Sequence, residues 1–151
     1  MTAAKNVGIP MSMLSIALKN ESGKVGQIRR NDNGTNDYGP MQINTVRILD
    51  LKKKGLTVDN TRLRWDGCYN VAVGAWILSY EHYHMMVEHP HLNEPERFWT
   101  TLGNYHSRTP AHRNEYIRRA IRSAKEIMSR TGWRKLLFHI NAGFPKSKRR
   151  R

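Results

Sequence analysis

Apolar residues in this chain recur mainly at helical spacing, three and four apart, and only briefly in alternation. The first such run comes after Pro10, a residue suited to the first position of a helix. Leu14, Ala17 and Leu18 share a stripe there, and residues 10–22 are read as one helix with Glu21 near its end. A polar stretch rich in Asn and Gly comes next. Its Asn33-Gly34 turn signal predicts either a small β-hairpin, with 27–30 as one arm, or an ordered loop. Asn44 is placed as an N-cap for a helix through Lys53, with Gly55 as its C′ residue and Val46 and Leu49 turned inward. Residues 56–67 read as a connection anchored by Leu63 and Trp65. A long helix is expected over about 70–87, with Ala72, Ala75, Trp76, Ser79, Tyr83 and Met86 on one face. Pro95 opens a further helix to about Leu102, and residues 103–110 read as a loop. A final amphipathic helix spans about 113–130, with Tyr116, Ile117, Ala120 and Ala124 in its inward stripe.

The expected fold is therefore mainly α, with a small β or loop segment. At 151 residues and 38% hydrophobic content, one domain with a real core is expected. The organisation read here is a lead-in over 1–9, a domain over 10–133 and a basic extension over 134–151. No run of 18 apolar residues exists, so no transmembrane helix is expected. The single Cys68 has no internal disulfide partner and is read as a small buried thiol.

Charge adds a second constraint. With 26 basic and 12 acidic residues the net charge is +14, which suits a polyanionic partner. The clusters at Arg29-Arg30, at 52–54, at Arg118-Arg119 and over 146–151 are each read as solvated faces, with the last expected to contact an anionic surface. A basic nucleic-acid-binding protein is the rival reading of another class. No helix-turn-helix, zinc-finger or RNA-binding signature supports it, and no nucleic acid is expected as a partner.

Candidate chemistry starts at Glu21. It stands at the C-terminal end of a core-facing edge, where burial and the negative end of the helix dipole both disfavour the charged carboxylate. A carboxyl with its pKa raised toward neutrality is fit to be a general acid. By periodicity alone, a solvated glutamate at a frayed helix end, paired with Lys19 or Lys24, is the preferred reading. His82, His84, His89 and His91 do not make a metal site, because His82 and His84 point to different helix faces. No metal and no cofactor are expected.

Three ordered blocks carry a family likeness. The first is Glu21-Ser22-Gly23, the Asn31–Thr35 turn and Asp37-Tyr38-Gly39-Pro40-Met41-Gln42-Ile43-Asn44. The second runs from Cys68 to Leu78. The third is Phe98-Trp99, then Tyr105-His106-Ser107-Arg108-Thr109-Pro110, then Tyr116. Together, over roughly residues 10–130, they resemble the lysozyme-like superfamily. The likeness is to the lytic transglycosylases with an SLT domain that accompany secretion systems and conjugative pili. Pro40 stands where that family usually has leucine, which leaves a wall-binding module with a dead site as an alternative.

The resemblance implies a lysozyme-like fold and cleavage of the MurNAc–GlcNAc β-1,4 bond of peptidoglycan. Glu21 would protonate the bond oxygen, then accept the proton of the sugar's 6-hydroxyl as that oxygen attacks the anomeric carbon, giving a 1,6-anhydro product. Asp37-Tyr38-Gly39 also looks like the second-carboxylate position of hydrolytic lysozymes. Asp37 is thus either a second catalytic group, as in a hydrolytic muramidase, or a turn acid that bonds backbone amides. Gln42 and Asn44 offer amides suited to N-acetyl and hydroxyl groups, with a helix cap competing for Asn44. Ser22 either orients Glu21 or the N-acetyl group, or makes a local turn bond. Tyr38 and Met41 line the cleft or pack. Tyr105 matches a cleft tyrosine of the family, His106 stands in the place of an asparagine, and Tyr116 matches a second tyrosine near the acid. The implied partners are peptidoglycan glycan strands and components of a secretion apparatus or pilus. The implied location is the periplasm or cell envelope, with a leader removed ahead of Met1.

Overall fold

A computed structural model describes residues 8–131. Six helices and one small sheet make up this part: α1 (Met11–Glu21), β1 (Ile28–Arg30), β2 (Asn36–Tyr38), β3 (Ile43–Asn44), α2 (Thr45–Lys53), α3 (Asn60–Trp65), α4 (Gly67–Glu88), α5 (Glu94–His106) and α6 (Pro110–Thr131). The fold is mainly α with a three-stranded antiparallel sheet. The strands lie in chain order, with Arg29 opposite Asp37 and Asp37 opposite Asn44. The lead-in up to residue 7 and the basic extension from 134 lie outside the described residues.

Capping explains most of the helix starts. Asn44 accepts from the Val46 N–H at the start of α2, and Asp59 accepts from Thr61 and Arg62 at the start of α3. Asp66 ends α3 and caps α4 through the Tyr69 N–H. Asn93 and Glu96 form a reciprocal capping box at α5, with Pro95 in its first turn. Gly55 comes after α2 with φ 81°, as expected of a C′ residue.

The core gathers where α5 packs between α4 and α6, with α1 laid on α6. Trp99, Tyr116, Phe98 and Met13 are among its largest fully buried side chains. Several inward faces differ from those the periodicity predicts. In α1 the buried set is Met13, Leu14, Ile16 and Ala17, while Leu18 is exposed. In α2, Ile48 and Leu51 are buried, and Val46 and Leu49 face out. In α4, Gly74, Ala75, Ile77 and Leu78 face the core, whereas Ala72, Tyr83 and Met86 do not. These sequences are apolar on more than one side, so spacing alone admits two registers. The connection over 56–67 contains α3; its Leu63 is buried, but Trp65 is exposed. Cys68 sits in the first turn of α4 with its thiol exposed, not buried.

The expected loop over 103–110 shrinks to 107–109, because α5 continues through His106. Gly103, the first residue of that expected loop, is buried under α6. A Cβ there would fall 2.9 Å from Ile117 Cγ1, so the glycine serves helix approach rather than a turn.

Candidate active site

Glu21 is the last residue of α1, and the chain beyond it is tightly built. Ser22 takes the left-handed conformation at φ 52°, and its exposed hydroxyl donates to the Lys19 carbonyl, so the local turn bond is the one made. The Gly23 N–H donates to the Pro40 carbonyl at 3.2 Å. A Cβ on Gly23 would collide with the Gly39 carbonyl oxygen and come within 2.7 Å of Gln42 Nε2. The end of the acid's helix is thereby stitched to the Gly39–Gln42 turn. Pro40 fits that turn: Gln42 N–H donates to the Gly39 carbonyl at 3.1 Å, and proline at the second position needs no donor.

A residue without an assigned role in the sequence holds this turn from behind. Asn70, fully buried in α4, accepts from the Met41 N–H at 2.8 Å. Its Nδ2 donates to the carbonyls of Tyr38 and Leu63, each at 2.8 Å. Met41 is fully buried in the core and Tyr38 packs against it, so both pack rather than line the cleft.

The sheet places Arg29, Asp37 and Asn44 side by side across its three strands. All three line a cleft of about 1140 Å³ that also takes in Glu21 and Gln42. Both oxygens of Asp37 are engaged: Oδ1 accepts from Asn44 Nδ2 at 2.7 Å and Oδ2 from Asn31 Nδ2 at 3.0 Å. Asn44 is therefore both helix cap and carboxylate holder. Gln42 Nε2 donates to the Gly39 carbonyl at 2.8 Å.

Helices α5 and α6 supply the other wall beside the acid. Tyr116 is fully buried, with the His106 ring stacked on it at 4.8 Å and the Arg119 guanidinium 5.4 Å from its centroid. Asn20 Nδ2, Glu21 Oε1 and the Tyr116 hydroxyl are all buried and lack a hydrogen-bond partner among the described residues. Tyr105 is at the end of α5, not in a loop, and its hydroxyl donates to the Met41 carbonyl at 2.8 Å rather than to the acid.

Burial raises the Glu21 carboxyl from its ordinary 4.5 to about 7. The Tyr116 hydroxyl and the Arg119 charge pull it back, Asp37 pushes it up, and Arg29 draws it down. Lys19, one of the partners considered for Glu21, instead pairs with Glu126 of α6 at 2.7 Å. Burial also lifts the Tyr116 phenol well above its usual range, and the nearby Glu21 adds to this, so the hydroxyl keeps its proton. His106 is shifted down, first by burial and then by Arg119, toward the neutral ring. Arg29, exposed on β1 as the solvated-face reading expects, and the part-buried Arg119 both line the cleft.

A buried ion cluster braces this wall and has no sequence signature. Glu81 of α4 is fully buried; its Oε1 meets Arg47 Nη1 at 2.7 Å and its Oε2 meets Arg108 Nη2 at 3.1 Å. Arg47 Nη2 also donates to the Asn104 carbonyl at 2.5 Å, where α5 is about to end. His82 and His84, which their spacing rules out as a ligand pair, face Thr101 and Glu88 respectively.

The chain is similar to the invasion protein IagB of Salmonella typhimurium, at 34% identity over 118 residues covering 78% of this chain and 66% of the relative. It is also similar to IagB of Salmonella typhi, at 40% identity over 78 residues, 51% of this chain and 48% of that one. A peptidoglycan-binding-like protein of Escherichia coli O157:H7 is 29% identical over 97 residues, 64% of this chain and 52% of that protein. The chain thus spans at most about two thirds of the length of these relatives, and it is a homologue of the IagB invasion proteins. No family model and no solved structure matches it.

Proposed function

We propose that this chain is a peptidoglycan lytic transglycosylase that cleaves the MurNAc–GlcNAc β-1,4 bond with Glu21 as its one acid–base group. The observation that carries the reading is the Glu21 carboxyl, held in the cleft wall with its pKa pushed up to about 7. At neutral pH a large fraction is protonated and ready to donate to the bond oxygen. Once ionised, the same group accepts the proton of the attacking 6-hydroxyl. Tyr116, Tyr105, His106, Gln42 and Asn44 shape the site around it, Tyr116 with its hydroxyl beside the acid. The E. coli relative described as peptidoglycan-binding-like supports the wall polymer as ligand. The cellular purpose we propose is local opening of the wall in the cell envelope for a secretion apparatus or pilus, supported by the likeness of the three sequence blocks.

The hydrolytic alternative needs Asp37 as nucleophile or base. Two amides already hold its two oxygens, which favours a binding or positioning role over attack on a sugar. Digestion of purified peptidoglycan with mass analysis of the products tests the reading. Anhydro ends, lighter than reducing ends by one water, are expected, and their formation is expected to stop in Glu21→Gln. Reducing ends would move the assignment to a muramidase with Asp37 in the catalytic pair. A folded protein that yields no product would leave wall binding without cleavage.

A further inference from the structure

The cleft continues past Glu21 and Asp37 between α2 and α4. Val46 and Asp50 of α2 and Lys54, its C-cap residue, succeed one another at four-residue spacing, and all three line the cleft. Lys54 is ten residues beyond Asn44, about 15 Å along the helix axis at helical rise. The facing wall is α4, where Trp76 and Tyr80, one turn apart, also line the cleft. Their rings lie nearly parallel, with centroids 5.5 Å apart and planes 11° apart. The Lys54 ammonium stands 4.9 Å from the Tyr80 centroid and has no carboxylate partner among the described residues.

The charge of this arm is also uneven. Arg47 and Arg108 share the single carboxylate of Glu81, and Arg108 is half exposed. With Lys54 they make three cations against Asp50 and Glu81. An aromatic wall offers an apolar surface with a polar edge, which matches the C–H face of a pyranose ring. The surplus cation offers a counter-charge for a carboxylate next to that ring.

We propose that this arm is a distal subsite for a peptide-bearing sugar of the glycan. The sugar ring rests against the Trp76–Tyr80 stack, whose Tyr80 also meets the His84 ring at 4.4 Å, and a carboxylate of the attached peptide pairs with Lys54. The inference rests on the glycan-cleaving reading and adds a substrate class to it: strands whose peptides are present and carry free carboxylates.

Binding to the Glu21→Gln chain tests this apart from cleavage. The probes are peptidoglycan glycan strands with their peptides intact and the same strands stripped of peptide by an amidase, titrated calorimetrically. Intact strands are expected to bind about fivefold tighter, and that preference is expected to fade at high salt. Lys54→Glu, at an exposed position, is expected to abolish the preference and leave affinity for stripped strands unchanged. Tyr80→Leu, which keeps bulk in the helix, is expected to weaken both ligands about fivefold through the lost aromatic contact. The subsite is overturned if Lys54→Glu keeps the preference, or if Tyr80→Leu binds both strands within about twofold of its parent. If the unsubstituted protein cleaves no peptidoglycan and Glu21→Gln binds neither strand, the glycan reading falls and the subsite falls with it. Normal cleavage with no effect of either substitution overturns the subsite alone.

Discussion

Glu21 holds its proton into a range where ordinary glutamates have lost theirs, and the cost of that appears in two measurements. As the donor it must be protonated at the start, so kcat/KM is expected to fall as pH rises through about 7. Glu21→Gln is expected to lower turnover by roughly 10² to 10⁴ with the fold intact. The stability effect comes from proton linkage. The carboxyl's pKa is higher in the folded state than in the unfolded chain, so between 4.5 and about 7 the folded state binds more protons. Stability contributed by the neutral acid is therefore present below 4.5 and lost as pH rises to about 7, on the order of 3 kcal/mol in all. Urea titrations at about pH 4 and pH 8 are expected to show this loss in the parent and little of it in Glu21→Gln. At Asp37, Asn substitution is expected to keep anhydro products and cost less than about tenfold in rate, since a single acid–base group suffices. A fall of about a hundredfold with an unchanged melting temperature would instead place Asp37 in the chemistry. Glu21, Asp37 and Tyr116 were all legible as site candidates, because each stands in a block whose spacing is distinctive. The pKa of Glu21 was legible only in direction: its size depends on what α6 lays over the carboxyl, and Tyr116 and Arg119 are about a hundred positions away.

Elements were read well where local chemistry sets them and less well where packing does. Asn44, Gly55, Pro95 and the Asn33-Gly34 turn announced their roles, since caps and turns are decided within a few residues. The end of α5 was misplaced because only the contact with α6 shows that Gly103 is there for close approach. The Arg47–Glu81–Arg108 cluster was invisible for a similar reason. Its members are 34 and 27 positions apart, and a glutamate within a long helix carries no mark of burial in its sequence. The cluster ties α2, α4 and the connection before α6 into one wall. Glu81→Gln leaves two guanidinium groups facing a neutral amide and is expected to destabilise the fold by about 3 kcal/mol, measured by denaturant unfolding. Since Arg47 also holds the carbonyl of Asn104, the same substitution is expected to loosen the end of α5, seen as faster amide exchange there.

Over the whole molecule, hydrophobic spacing foretold a mainly helical fold and composition a basic one, and the net charge of +14 bears on how the chain meets its proposed substrate. Residues 146–151 carry five basic groups, so removing them takes the charge to +9. That truncation is expected to weaken adsorption to sacculi at low salt and leave turnover of soluble glycan unchanged, as a sedimentation assay run beside a soluble-substrate assay will show. The packing of α1 on α6 has a consequence of its own. The acid comes from the first described helix, and its tyrosine and arginine come from the last. A ribosome-bound chain that has not yet released α6 has the glutamate but lacks the helix that packs on α1 and helps to bury it. The proposed cutting activity is therefore expected only after α6 has been made, and a product terminated before α6 is expected to be inert toward the wall of the cell that makes it.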